Sequence, residues 1–137
     1  MYSEEARVRL YTPAKESGHT IYNTIMSHRS KSQDMFIEVN ANTLDNLLLQ
    51  NKVKEDQIKW IKIDVEGAEF EVLKGAHNLL SKSTNIVLII EVHSLDLYKV
   101  VVGFFSLYKF RIEIERGKGD WRHIMLRKVS RSDYMIG

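Results

Sequence analysis

Residues 59–76 restrict the fold more than any other stretch of the chain; they read Lys-Trp-Ile-Lys-Ile-Asp-Val-Glu-Gly-Ala-Glu-Phe-Glu-Val-Leu-Lys-Gly-Ala. Trp60, Ile61, Ile63 and Val65 are aromatic or β-branched, and they predict a strand over 59–65 buried on both faces of a parallel sheet. The apolar run stops in Asp64, Glu66 and Gly67. Val72, Leu73, Ala76, Leu79 and Leu80 then recur at helical spacing and predict a helix over about 68–81. Gly75 inside that helix costs about 1 kcal/mol relative to Ala, so it marks close packing. In open α/β sheets ligands bind beyond the carboxyl ends of the strands, which is where Asp64 and Glu66 stand.

The flanking segments extend the pattern. Residues 7–12 alternate polar and apolar up to Pro13 and predict a short strand. Residues 14–34 are polar and aperiodic, with His19 and His28 among them, and predict a long loop, either on the substrate side or an unanchored flap. A second strand over 35–39 leads into a short helix capped by Asn42 or Thr43, with Asp45 in its first turn. Residues 85–92 form the most apolar strand and belong at the centre of the sheet. Ser94 caps a helix over 95–108 that turns Tyr98, Val101, Val102 and Phe105 to the sheet. Residues 109–116 and 121–129 pair as a hairpin around Gly117, Lys118, Gly119 and Asp120; no helix follows these glycines, so they are not a phosphate loop. Alternating strands and helices argue an α/β fold whose sheet is mostly parallel, with a C-terminal antiparallel hairpin.

A chain of 137 residues predicts one domain. Its most apolar runs, 86–92 and 100–105, fall far short of a bilayer span, and Glu4, Glu5 and Arg7 precede any hydrophobic run that would serve as a signal peptide. The absence of cysteine excludes a disulfide framework, a thiolate nucleophile and a cysteine-based zinc site, and fits a cytoplasmic location. Net charge is +2, yet residues 109–131 hold eight Lys or Arg against three acids. Such an edge attracts phosphate or nucleic acid. Here the cations alternate with Phe110, Ile112 and Ile114, as on the solvated face of a strand, and Trp121 and Tyr108 form no stacking series with them. Neither nucleic acid nor a membrane is the expected partner.

Asp64 and Glu66 lie two residues apart, so on an extended chain their side chains share a face; Glu91 and His93 repeat the arrangement on the next strand. Three carboxylates and an imidazole at one edge can take a proton from a substrate hydroxyl, or hold a hard cation such as magnesium. Plainer roles compete: Glu66, Glu69 and Glu71 suit the start of a helix as dipole charges, and His93 can satisfy a backbone group ahead of the Ser94 cap. His77 and His123 read as structural or solvated.

Ile61-Lys-Ile-Asp-Val-Glu-Gly-Ala-Glu69, continued by Val-Leu-Lys-Gly-Ala76, preceded by Thr43-Leu-Asp-Asn-Leu-Leu48 and followed by Ile90-Glu-Val-His93, resembles the FkbM-type methyltransferases over about residues 36–93. The resemblance implies a Rossmann-like class I methyltransferase fold, S-adenosylmethionine as donor, and methylation of a hydroxyl on a small-molecule acceptor such as a sugar or natural product. It places Asp64 and Glu66 at the end of the family's fourth strand, beside donor and acceptor, and Glu91 and His93 at the end of the fifth. These four are the implied catalytic residues.

The family's glycine-rich turn, of the Asp-x-Gly-Ala-x-x-Gly kind, and its ribose-holding acid have no match in the sequence. The resemblance therefore implies a partial sheet, one truncated domain over 1–137 with its cofactor-binding residues unassigned. The strand over 59–65 would keep an open apolar edge, a template for association. That predicts a homodimer across the edge, a separate partner chain, or terminal strands folded over it. Two functions follow: the acceptor-side half of an O-methyltransferase, not competent alone, or a non-catalytic, self-associating remnant or scaffold module.

Overall fold

The computed structural model describes residues 6–12 and 35–129; the loop expected over 14–34, with His19 and His28, lies outside the described residues. Strands β1 (Ala6–Thr12) and β2 (Met35–Ala41) pair antiparallel with each other, Val8 opposite Val39 and Leu10 opposite Ile37. Helix α1 (Leu44–Gln50) begins at Thr43, whose hydroxyl accepts the Asn46 N–H at 3.1 Å and satisfies one of the free donors of the first turn. A 3₁₀ turn (Glu55–Gln57) leads into β3 (Trp60–Ile63). Then come α2 (Glu69–Lys74), α3 (His77–Lys82), β4 (Val87–Val92) and α4 (Leu95–Ser106), the last capped by Ser94 on the Leu97 N–H at 3.2 Å. Strands β5 (Phe110–Lys118) and β6 (Trp121–Lys128) close the chain as a hairpin; its turn is tighter than expected, Gly119 and Asp120 alone, with Gly119 at φ +63°.

The helix expected over 68–81 is two helices. In an unbroken helix the Gly75 carbonyl would accept the Leu79 N–H. Instead it accepts the Asp45 N–H at 3.0 Å, while the Leu79 N–H donates to the Asp45 carboxylate at 3.0 Å. Asp45 thus separates α2 from α3 and caps the second. Gly75 permits this contact, because a Cβ there would lie 3.2 Å from Cβ of Thr43.

The main sheet has the order β3-β4-β6-β5, and it corrects the expectation of a mostly parallel sheet. Strands β3 and β4 are parallel, but β4–β6 and β6–β5 are antiparallel. The reason is non-local: β6 rather than β5 seats against β4, so the hairpin gives β4 an antiparallel neighbour. Strands β1 and β2, counted by their alternation toward the sheet, form a ladder of their own. The fold is therefore mixed α/β with mostly antiparallel pairing.

Strand β4 is central as expected, with Val87, Leu88, Ile90 and Val92 buried. Leu73, Leu79 and Leu80 from the helix pair, Val101 and Phe105 from α4, and Ile124 and Leu126 from β6 join it in one core. Each such side chain contributes roughly 1.5–3 kcal/mol by leaving water. Strand β3 is less buried than expected. Among the described residues it has one strand neighbour, and Trp60 and Lys62 are exposed while Ile63 is buried. No helix among the described residues is long and apolar enough to cross a membrane.

Candidate active site

Because β3 and β4 run parallel with Ile63 opposite Ile90, their carboxyl ends coincide and bring Asp64 next to Glu91. The chain then reverses. Val65 O accepts the Ala68 N–H at 3.2 Å, and the two residues between have positive φ, Glu66 at +53° and Gly67 at +100°. Glycine adopts such a conformation freely, whereas for Glu66 it costs of the order of 1 kcal/mol. The strain swings Glu66 back over the strand ends.

Glu69 follows two small residues and folds beneath this turn, fully buried. Its Oε1 accepts the Gly67 N–H at 2.9 Å and faces Nδ1 of His93 at 2.8 Å. The contact gives one atom of each buried group a partner, while Glu69 Oε2 is buried without a hydrogen-bond partner among the described residues. With the carboxylate as acceptor, the ring proton sits on Nδ1. The opposite nitrogen of His93, Nε2, points at the strand-end carboxylates, 3.4 Å from Glu66 Oε2 and 3.8 Å from Glu91 Oε1. Trp121, at the start of β6, sets its ring against His93 edge-on with centroids 5.2 Å apart. His123, opposite Glu91 in the β4–β6 ladder, places Nδ1 3.7 Å from Glu91 Oε2.

Asp64 stands at the open side of the group, 3.0 Å from Lys62 Nζ. That hydrogen bond holds the Lys62 ammonium above the usual lysine range, with the Asp64 and Glu91 charges adding to it. Ligand atoms of Asp64, Glu91 and His93 lie within 4.8 Å of one another, a spacing that can hold a metal ion. Two carboxylates and an imidazole suit a first-row transition ion better than magnesium, which favours oxygen-only ligands.

The four residues singled out in the sequence, Asp64, Glu66, Glu91 and His93, therefore converge on one edge. Glu69 does not act as a plain dipole charge but anchors the group. The signal for it was the Gly67-Ala68 pair, small enough to let the next side chain turn inward. His123 and Trp121 also reach the site, through a strand pairing that local pattern does not encode. His77 is elsewhere, its Nδ1 2.7 Å from the Tyr108 hydroxyl.

Three arginines of the basic hairpin are ion-paired. Arg111 and Arg127 both reach Glu113, at 3.2 and 3.0 Å, and Arg122 lies 3.6 Å from Glu115.

The family model of the methyltransferase FkbM domain matches residues 2–127. The chain belongs to the FkbM methyltransferase domain family. No curated protein matches it, and no solved structure does. In this FkbM domain the family motif Ile-Asp-Val-Glu-Gly-Ala-Glu builds the β3 end, the strained turn and the buried glutamate in one continuous run.

Proposed function

We propose that this FkbM domain forms the acceptor side of an S-adenosylmethionine-dependent O-methyltransferase, acting on a hydroxyl of a sugar or natural-product-like small molecule. The observation that carries the reading is the buried Glu69–His93 pair, around which Asp64, Glu66 and Glu91 gather at the ends of two parallel strands. A methyl group can pass to a hydroxyl oxygen once the hydroxyl proton has somewhere to go. Asp64 and Glu91 offer carboxylate oxygens where such a hydroxyl would enter, and His93, held from behind by Glu69, fixes the charge they face.

The described residues do not fit the donor's methionine part. A cradle for that part needs outward backbone N–H groups, whereas the turn after β3 spends its own inward, Gly67 on Glu69 and Ala68 on Val65. The glycine-rich turn that would hold the donor is proposed to come from a partner chain or from further residues. The exposed Trp60 and the side of β3 that has no strand neighbour among the described residues favour a partner there, either a second copy or a separate chain. The same edge supports a second reading, a self-associating module without catalysis.

Two titrations separate the readings. Calorimetry of the chain alone with S-adenosylhomocysteine should show no saturable binding up to about millimolar concentration, and micromolar binding would overturn the proposed division of the site. An NMR titration with a panel of hydroxylated small molecules should move the signals of Asp64, Glu91 and Trp121. A panel that leaves all three unmoved contradicts the acceptor-side role and favours the scaffold.

A further inference from the structure

The end of the sheet opposite the candidate active site carries a cleft of about 710 Å³, within the range of small-ligand sites, between the α3–β4 connection and the start of β5. His77, Lys82, Lys109 and Lys128 line it, and among the described residues no Asp or Glu does. Lys82 is paired with Glu55 at 2.9 Å. Lys109 and Lys128 have no carboxylate within ion-pair distance among the described residues. Lys128 is held in place, its ammonium donating to the Leu80 carbonyl and lying 5.0 Å from the centre of the Phe110 ring. Burial, and then the charge of Lys109, push it below the usual lysine range. Lys109 keeps a left-handed backbone, φ +58°, fixed by its carbonyl accepting the Val129 N–H at 2.8 Å. Strain of this kind persists where surrounding structure enforces it.

Two lysines that line one cleft, with no ion-pair partner among the described residues and with the Thr84 hydroxyl beside them in the lining, are short of an anion. The geometry points to a binding site for a phosphomonoester on a compact organic body. The phosphate dianion matches the charges of Lys109 and Lys128, the Thr84 hydroxyl serves a further oxygen, and Leu107, the Tyr108 ring and Val129 give the body an apolar wall. The cleft lies across the length of β4 from His93, so the site is separate from the strand-end chemistry.

The test is an NMR titration of the full chain with AMP, with adenosine as the phosphate-free control, at fixed ionic strength. AMP should bind saturably and adenosine should not, with the largest amide shifts at Tyr108, Lys109 and Lys128. Lys109→Gln, at an exposed position, should weaken AMP by about tenfold, the worth of one charge-assisted contact. The proposal is overturned if AMP fails to bind at millimolar concentration, if shifts at these residues are no larger than at Lys52 and Lys99, or if Lys109→Gln binds AMP as the unaltered chain does.

Discussion

Asp45 caps a helix that begins far along the chain: its carboxylate accepts the Asn78 N–H at 2.7 Å and the Leu79 N–H at 3.0 Å. The residue belongs to the Thr-Leu-Asp stretch that starts α1, and its own backbone N–H is bonded to Gly75. One side chain thus ties α1 to the break between α2 and α3. Asp45→Ala leaves two helix-end donors without an acceptor and is expected to cost about 1 to 2 kcal/mol, the range of a lost N-cap. Urea denaturation measures it, and a loss below a few tenths would remove Asp45 from this role.

Gly75→Ala sets two effects against each other. In a helix the change gains about 1 kcal/mol of propensity. Here the new methyl meets Thr43 Cβ at 3.2 Å, beside the hydrogen bond between Gly75 and Asp45. Packing is fixed on both sides, so the clash should win and the variant should melt below the unaltered chain. A higher melting temperature would show that α1 can move away freely.

Local pattern revealed most of the elements because each is short and strongly marked: Ser94 and Thr43 cap their helices as their residue types suggest, and the apolar run of β4 lies in the sheet centre. What stayed hidden depends on residues distant in sequence. Nothing near Leu79 announces that Asp45 will interrupt its helix. Nothing in the hairpin says that β6, and not β5, will lie beside β4 and so bring Trp121 and His123 to the site. The meeting of Asp64, Glu66, Glu91 and His93 at one edge was legible, because strand ends gather polar groups. The burial of Glu69 was marked by nothing but the small Gly67-Ala68 pair before it, since a first-turn glutamate usually faces solvent and this one is fully buried.

Glu113 sits at the irregularity in β5 and is held below the usual carboxylate range, chiefly by its hydrogen bonds to Arg127 and Arg111. A carboxyl lowered in the folded state stabilises the fold above its unfolded pKa, and this contribution fades as pH falls through the lowered value. Chemical denaturation of the chain and of Glu113→Gln should therefore differ near neutral pH and converge on acidification. A gap that widens in acid would contradict the pairing. The group is partly exposed, so the effect should be small.

The edge of β3 makes a prediction about assembly. With Trp60 exposed and one strand neighbour among the described residues, the chain should associate, and light scattering should report a mass above that of one copy. Trp60→Lys, which places a charge on the open edge, should shift the population toward monomer. A clean monomer at high concentration would argue against a second copy on this edge.

The reading of the site rests most heavily on the buried contact between Glu69 and His93. Nitrogen-15 NMR of the His93 ring in the unaltered chain tests it without needing an acceptor or a donor. The ring proton should sit on Nδ1 and remain protected from exchange, and Glu69→Gln should alter the ring nitrogen shifts while the fold, read by circular dichroism, persists. A ring protonated at Nε2 alone, or ring signals identical in a folded Glu69→Gln variant, would contradict the claim that this pair organises the strand-end carboxylates.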